Sequence, residues 1–255
     1  MGTSAVALAA GATLLATAFT IALADRWLAR RRPHELAWAV SLALFSLASG
    51  ALWLGVATGW TAGSFRAFYL FGAILNVPWL ALGSILLLFG GRRSNQVVGA
   101  LGLVSAFVAG ILLVVPLKAP VPAAGLPEGR NVFGILPRIL AAVGSGLAAT
   151  VIVALALWSA GRLWRGRRTT SAAGKGAVSS ARLALGNLQI ALGTIVLSAS
   201  GTIAGRVGKT NAFAITLAIG IALLFAGFLV ATPNPGVRIR STKQAAQDLA
   251  AQAAW

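Results

Sequence analysis

Cysteine is absent from the 255 residues, and histidine, methionine and tyrosine occur once each. Disulfides, thiolate nucleophiles, iron–sulfur clusters and Cys-ligated zinc are thereby excluded, and haem has almost no side chain to ligate it. Acidic residues are nearly as scarce: Asp25, Glu35, Glu128 and Asp248 stand against 21 Lys plus Arg, for a formal net charge of +17. Charged residues make up 10% of the chain, where a soluble domain carries about 25%. A water-facing surface cannot be assembled from that composition, so the chain reads as an all-α membrane protein. Its basic residues lie scattered in the gaps between apolar runs instead of in one dense arm, which argues against a nucleic-acid partner. Arg far outnumbers Lys, and Ala and Gly are abundant, a bias that points to a GC-rich bacterial genome and hence to a bacterial plasma membrane.

Seven apolar stretches have the roughly 20 residues that a helix needs to cross a hydrocarbon core about 30 Å thick. They are predicted at 4–24, 36–57, 67–89, 97–115, 139–160, 183–203 and 212–231, followed by a short tail at 236–255. The first run ends in Ala22-Leu23-Ala24, which has the form of a signal-peptidase site. Basic residues follow this run and none precedes it, which favours an uncleaved helix. Counting Lys and Arg in alternate loops puts fifteen on one side and six on the other. The richer side is expected to be cytoplasmic, with the N-terminus outside and the C-terminus inside.

The spans also resemble one another. Ala24 to Arg32, at the end of the first, matches Ala160 to Arg168 at the end of the fifth in its Ala, Arg and terminal Arg-Arg; Ala48-Ser49-Gly50 matches Ala199-Ser200-Gly201, and Ala67-Phe68 matches Ala212-Phe213. Two parallel three-helix units joined by the fourth span, a 3+1+3 repeat, account for these matches. Shared Ala-Gly-Ser composition accounts for them too, and small residues four apart are more often packing contacts than sites.

No Asp, Glu, Lys or Arg lies near the middle of any predicted span. Buried-charge proton relays, voltage sensing and retinal chemistry are therefore not expected, nor is intramembrane proteolysis. The neutral candidates for a ligand-lining surface are Tyr69, Asn76 and Trp79 in the third span and Asn187, Gln189 and Ser198 in the sixth, where Asn187, Thr194 and Ser198 recur at helical spacing. Pro78 deprives one carbonyl of its helical partner and permits a kink. For Asn76 and the sixth-span residues a hydrogen bond to a neighbouring helix is the simpler role, and for Trp79 simple packing is. His34 and Glu35 after Pro33 suggest either a proton-responsive pair or, more simply, an acidic first turn favoured by the helix dipole.

The Pro-rich segment from Pro116 to Arg138 is expected to be stiff and is suited to cap an outward-facing cavity. The internal loop after Gly161 carries a basic patch, Arg162, Arg165, Arg167 and Arg168, suited to anionic lipid headgroups.

The stretches Arg31-Arg32-Pro33-His34-Glu35-Leu36-Ala37-Trp38 and Phe68 to Trp79 resemble an uncharacterised family of bacterial seven-helix membrane proteins. The first three spans have a fainter similarity to the seven-helix sensor module of some bacterial histidine kinases. That similarity implies a sensor-like role whose output passes through another polypeptide, since no kinase domain is expected here. Helix count and sidedness are similar to those of sugar-transporting 3+1+3 proteins, but Pro78 has no counterpart in the seventh span. The expectation is a non-enzymatic polytopic membrane protein without cofactor or metal, a sensor-like or accessory subunit binding a protein partner or lipophilic ligand. The alternative is a facilitative transporter of a small neutral solute.

Overall fold

The computed structural model describes residues 3–90, 93–123, 125–169, 182, 184–197 and 210–231. Helices fall on all seven predicted stretches: α1 Thr3–Arg30, α2 Pro33–Thr58, α3 Ala62–Phe89, α4 Ser94–Val114, α5 from Ile135 to Thr169, α6 Ala184–Leu197 and α7 Thr210–Ala231. The first five contain stretches long and apolar enough to cross a membrane. No strand occurs among the described residues, where the one isolated bridge pairs Leu117 with Phe133. The tail at 236–255 lies outside the described residues.

The helices overrun their predicted limits where the flanking residues are good helix formers. α1 continues past Ala24 through Arg26 and Leu28 to Arg30, and α5 continues past Ala160 through the basic patch to Thr169. Arg and Leu lose little rotamer freedom in a helix, so the loss of hydropathy that ends a span does not end the helix. The stops are local. Arg31 takes a left-handed φ of 52° between α1 and α2, and Pro33 then starts α2 at a position where its missing N–H costs nothing. Gly59, at φ 92°, ends α2, and a Thr61–Ser64 capping box opens α3. The C-terminal carbonyls of α4 are capped by the Arg66 guanidinium, which donates to Leu112 O, to Leu113 O at 3.2 Å and to Val115 O at 2.7 Å.

α1, α2, α3 and α5 pack in that order, each against the next. α7 lies on α1, with Phe19 stacked on Phe225 at 3.5 Å, and reaches α2, where Phe228 stacks on Trp38 at 4.7 Å. α6 joins α7 through glycines. A Cβ on Gly193 would lie 2.9 Å from Gly220 O, and one on Gly227 would lie 2.8 Å from Gly186 O. Backbones can meet this closely in lipid only across small residues.

At one end, the segment after α4 folds down over the bundle. Lys118 N donates to Val132 O at 2.8 Å and Trp60 N to Ala123 O at 3.3 Å. Phe133 is fully buried among Phe65 and Tyr69, with Trp60 beside Phe65 and Phe68. The Pro-rich segment therefore contributes aromatic packing to this loop end. The opposite end, where α1 meets α2, is the arginine end.

Candidate functional site

The polar residues that sequence places in the middle of the bundle are organised by a fault in α3. Residues Tyr69–Leu75 form a π stretch, closed by Asn76 N donating to Phe71 O, and Pro78 follows. Position 78 would supply the N–H for Ala73 O in π register or for Ile74 O in α register, so Pro78 withholds one donor at this junction in a helix that is otherwise enclosed. α5 answers with its own π stretch, Ala142–Leu147, packed against that of α3. Ser145 Oγ donates to Ala73 O, and Gly144 permits the approach: a Cβ there would sit 3.1 Å from Ile74 O and 3.8 Å from Pro78 Cγ. Short π segments inside α-helices often occur at functional sites.

Two further bonds extend this seam to the neighbouring helices. Asn76 is buried, and its Oδ1 accepts from Ser41 Oγ of α2 at 2.7 Å, the same hydroxyl lying 3.1 Å from Asn76 O. Trp79, also buried, donates from Nε1 to Ser105 Oγ of α4 at 3.1 Å, and Ser105 in turn donates to Leu101 O at 2.7 Å. α3 thus reaches α2, α4 and α5 through one serine of each, within the seven residues from Ala73 to Trp79.

No family model matches the chain. Neither does any curated protein or solved structure. The reading of the seam therefore rests on its geometry.

Of the six residues expected to line a ligand surface, Asn76 and Trp79 belong to this seam. Tyr69 does not: seven residues before Asn76, about 10 Å along a helix axis, it packs at the loop end, 4.8 Å from Phe133 and against Gly129. Asn187 and Gln189 lie on α6. Two residues apart, they point roughly 200° from each other around the helix, so they do not share a face. Asn187 is buried on the same face as Thr194, whose hydroxyl returns to Ile190 O at 2.8 Å. Asn187 Nδ2 and Gln189 Oε1 have no hydrogen-bond partner among the described residues. Ser198 lies outside the described residues. In the basic patch, Arg162 is exposed with its guanidinium 4.9 Å over the Trp158 ring. α5 continues through Arg165, Arg167 and Arg168, whose side chains lie outside the described residues.

Ser41, Ser105, Gly144 and Ser145 were not singled out by the sequence. The only signal was indirect: Pro78 announces a carbonyl in need of a donor, but not which helix brings it. The Gly144-Ser145-Gly146 triplet, a hydroxyl between two residues that allow close approach, is the feature that answers it.

Proposed function

We propose that this protein is a non-enzymatic, multi-pass protein of a bacterial plasma membrane, a sensor-like or accessory subunit whose helices form a packing scaffold for a protein partner or lipophilic ligand. The observation that carries this reading is the closure of the seam. Asn76, Trp79 and the carbonyl orphaned by Pro78 each end on a neighbouring helix, which is how polar groups act as interhelical glue in lipid. In the same reading seven helices span the bilayer with the N-terminus outside and the tail inside, and the arginine end and basic patch meet anionic headgroups. A 3+1+3 arrangement suits the weak enclosure of α4 as a connector, although the π stretches in α3 and α5 do not pair under that repeat. The family resemblance of the segments around His34 and Asn76 accords with this role.

Native mass spectrometry of the gently solubilised protein tests the proposal. A lipid or second polypeptide retained in fixed stoichiometry is the expected result. The facing π stretches of α3 and α5 favour one other reading, facilitative transport of a small neutral solute through a helix pair able to shift register. Solute uptake into proteoliposomes that is lost in Asn76→Ala would replace the scaffold reading with that one. Sidedness is separately testable, because the chain has no native cysteine: Arg130→Cys should react with a membrane-impermeant maleimide from outside intact cells.

A further inference from the structure

The elbow between α1 and α2 gathers polar groups that the seam does not use. Glu35, in the first turn of α2, has no exposed surface. Its Oε1 lies 3.5 Å from Arg30 Nη1, longer than a good charge-assisted bond of about 2.7–2.9 Å, and its oxygens are otherwise unmatched. Arg26 Nη2 and His34 Nε2 are likewise buried without a partner. The indole of Trp38 closes the space, with His34 edge-on at 5.4 Å, Phe228 of α7 stacked on it and the backbone of Gly83 of α3 against its rim. Beside this cluster Arg31 holds a left-handed conformation that non-glycine residues seldom adopt, its N–H bonded to Trp27 O at 2.6 Å and its guanidinium 4.9 Å from the Trp27 ring.

Among the described residues, the charged and titratable groups around the elbow are Asp25, Arg26 and Arg30 from α1, Arg31 and Arg32 from the turn, and His34 and Glu35 from α2; α3 and α7 bring Gly83 and Phe228. A metal cation here would sit among arginines, and an anion would face the Glu35 carboxylate. A proton changes the charge of the cluster without adding bulk to a filled space. We propose that the elbow is a buried proton-binding site with Glu35 as the acceptor. The carboxylate holds Arg30 and clamps the last turn of α1 to the first turn of α2; a proton taken from water cancels that pair and releases the strained turn. The Arg30 side chain, 17% exposed, leads from water to Glu35. This site stands apart from the seam and does not rest on the scaffold reading.

The experiment exploits the scarcity of acids. In the full-length protein in vesicles of zwitterionic phosphatidylcholine, which carry no carboxyl groups, the D25N/E128Q/D248N variant keeps Glu35 as its sole side-chain carboxyl, so infrared difference spectra on acidification report Glu35. The expected result is a protonated-carboxyl band that grows in one step and is absent when Glu35→Gln is added. Hydrogen-exchange protection of the elbow amides of Arg31, Glu35 and Leu36, which bond Trp27 O and Arg32 O, should be lost in the same step after correction for intrinsic exchange. E35Q should be unprotected at every pH, and His34→Gln should keep the step. Absence of the band throughout the pH range in which helical circular dichroism is retained overturns the proposal. So does a step that persists in E35Q or disappears in H34Q. Should E35Q fail to assemble, Arg30→Gln keeps the acceptor and removes its cation; the band midpoint should then move to higher pH, and an unmoved midpoint overturns the proposal.

Discussion

α3 and α4 follow one another in the chain, and α4 is the more apolar, yet 61% of the apolar window of α3 is enclosed against 11% of that of α4. In water the order would be reversed, because apolar area drives burial. In lipid the acyl chains solvate Leu and Phe as well as a protein interior does, so Leu103, Phe107 and Val114 of α4 face outward without penalty. What needs enclosure is the helix carrying Asn76, Trp79 and a carbonyl freed by Pro78. Polarity in the middle of a span thus marks the centre of this bundle, and uninterrupted apolarity marks its edge.

Five substitutions test that contrast, all measured as unfolding free energy or thermal stability in nanodiscs. The largest effect is expected from Gly83→Leu in α3, where even a Cβ would fall 2.1 Å from Trp38 Cδ1; overpacking at such a site costs about 1–3 kcal/mol or more. The matching Gly102→Leu in α4, where a Cβ meets nothing within 4 Å, should be close to neutral. A Gly102→Leu variant as damaged as Gly83→Leu would show that α4 is enclosed by something other than lipid. Asn76→Ala comes next, at about 0.6–1.7 kcal/mol, the span of polar interhelical contacts in membranes; a double-mutant cycle with Ser41→Ala should return most of that as coupling. Ser145→Ala should cost about 0.6 kcal/mol or somewhat more in the native chain, and less in a Pro78→Ala background, where residue 78 regains an N–H for the carbonyl. Among the seam substitutions the smallest effect is expected for Trp79→Phe, which loses the bond to Ser105 but keeps most of the ring's packing, at about 0.5 kcal/mol. Equal costs for Ser145→Ala with and without Pro78 would detach the seam from the fault in α3.

The positions of the helices were legible in the sequence because hydropathy and length are properties of a segment taken alone. Their ends were less so. Arg26 and Arg30 belong to α1, and Arg162 to α5, because helix propensity outlasts hydropathy. Asn76 and Trp79 were legible as buried polar residues, and so was the fault at Pro78. Tyr69 lies near them in sequence, but the Pro-rich segment returns Phe133 to it at the loop end, a contact 64 positions apart in the chain that no local pattern announces. Glu35 is the clearest reversal. A first-turn acid is normally a solvated partner of the helix dipole, yet here α1, α3 and α7 converge on that turn and the carboxylate is fully enclosed.

The sequence by itself determined that this chain is helical and suited to a membrane, because the free energy of placing about 20 uncharged apolar residues in hydrocarbon as a helix is a sum over one segment. Only the tertiary structure decided which helix is central, which serine answers which orphaned acceptor, and that Glu35 is enclosed beside Arg30. Those outcomes turn on distances of about 3 Å between separate helices, and such distances are set by how glycines and side chains let the backbones approach.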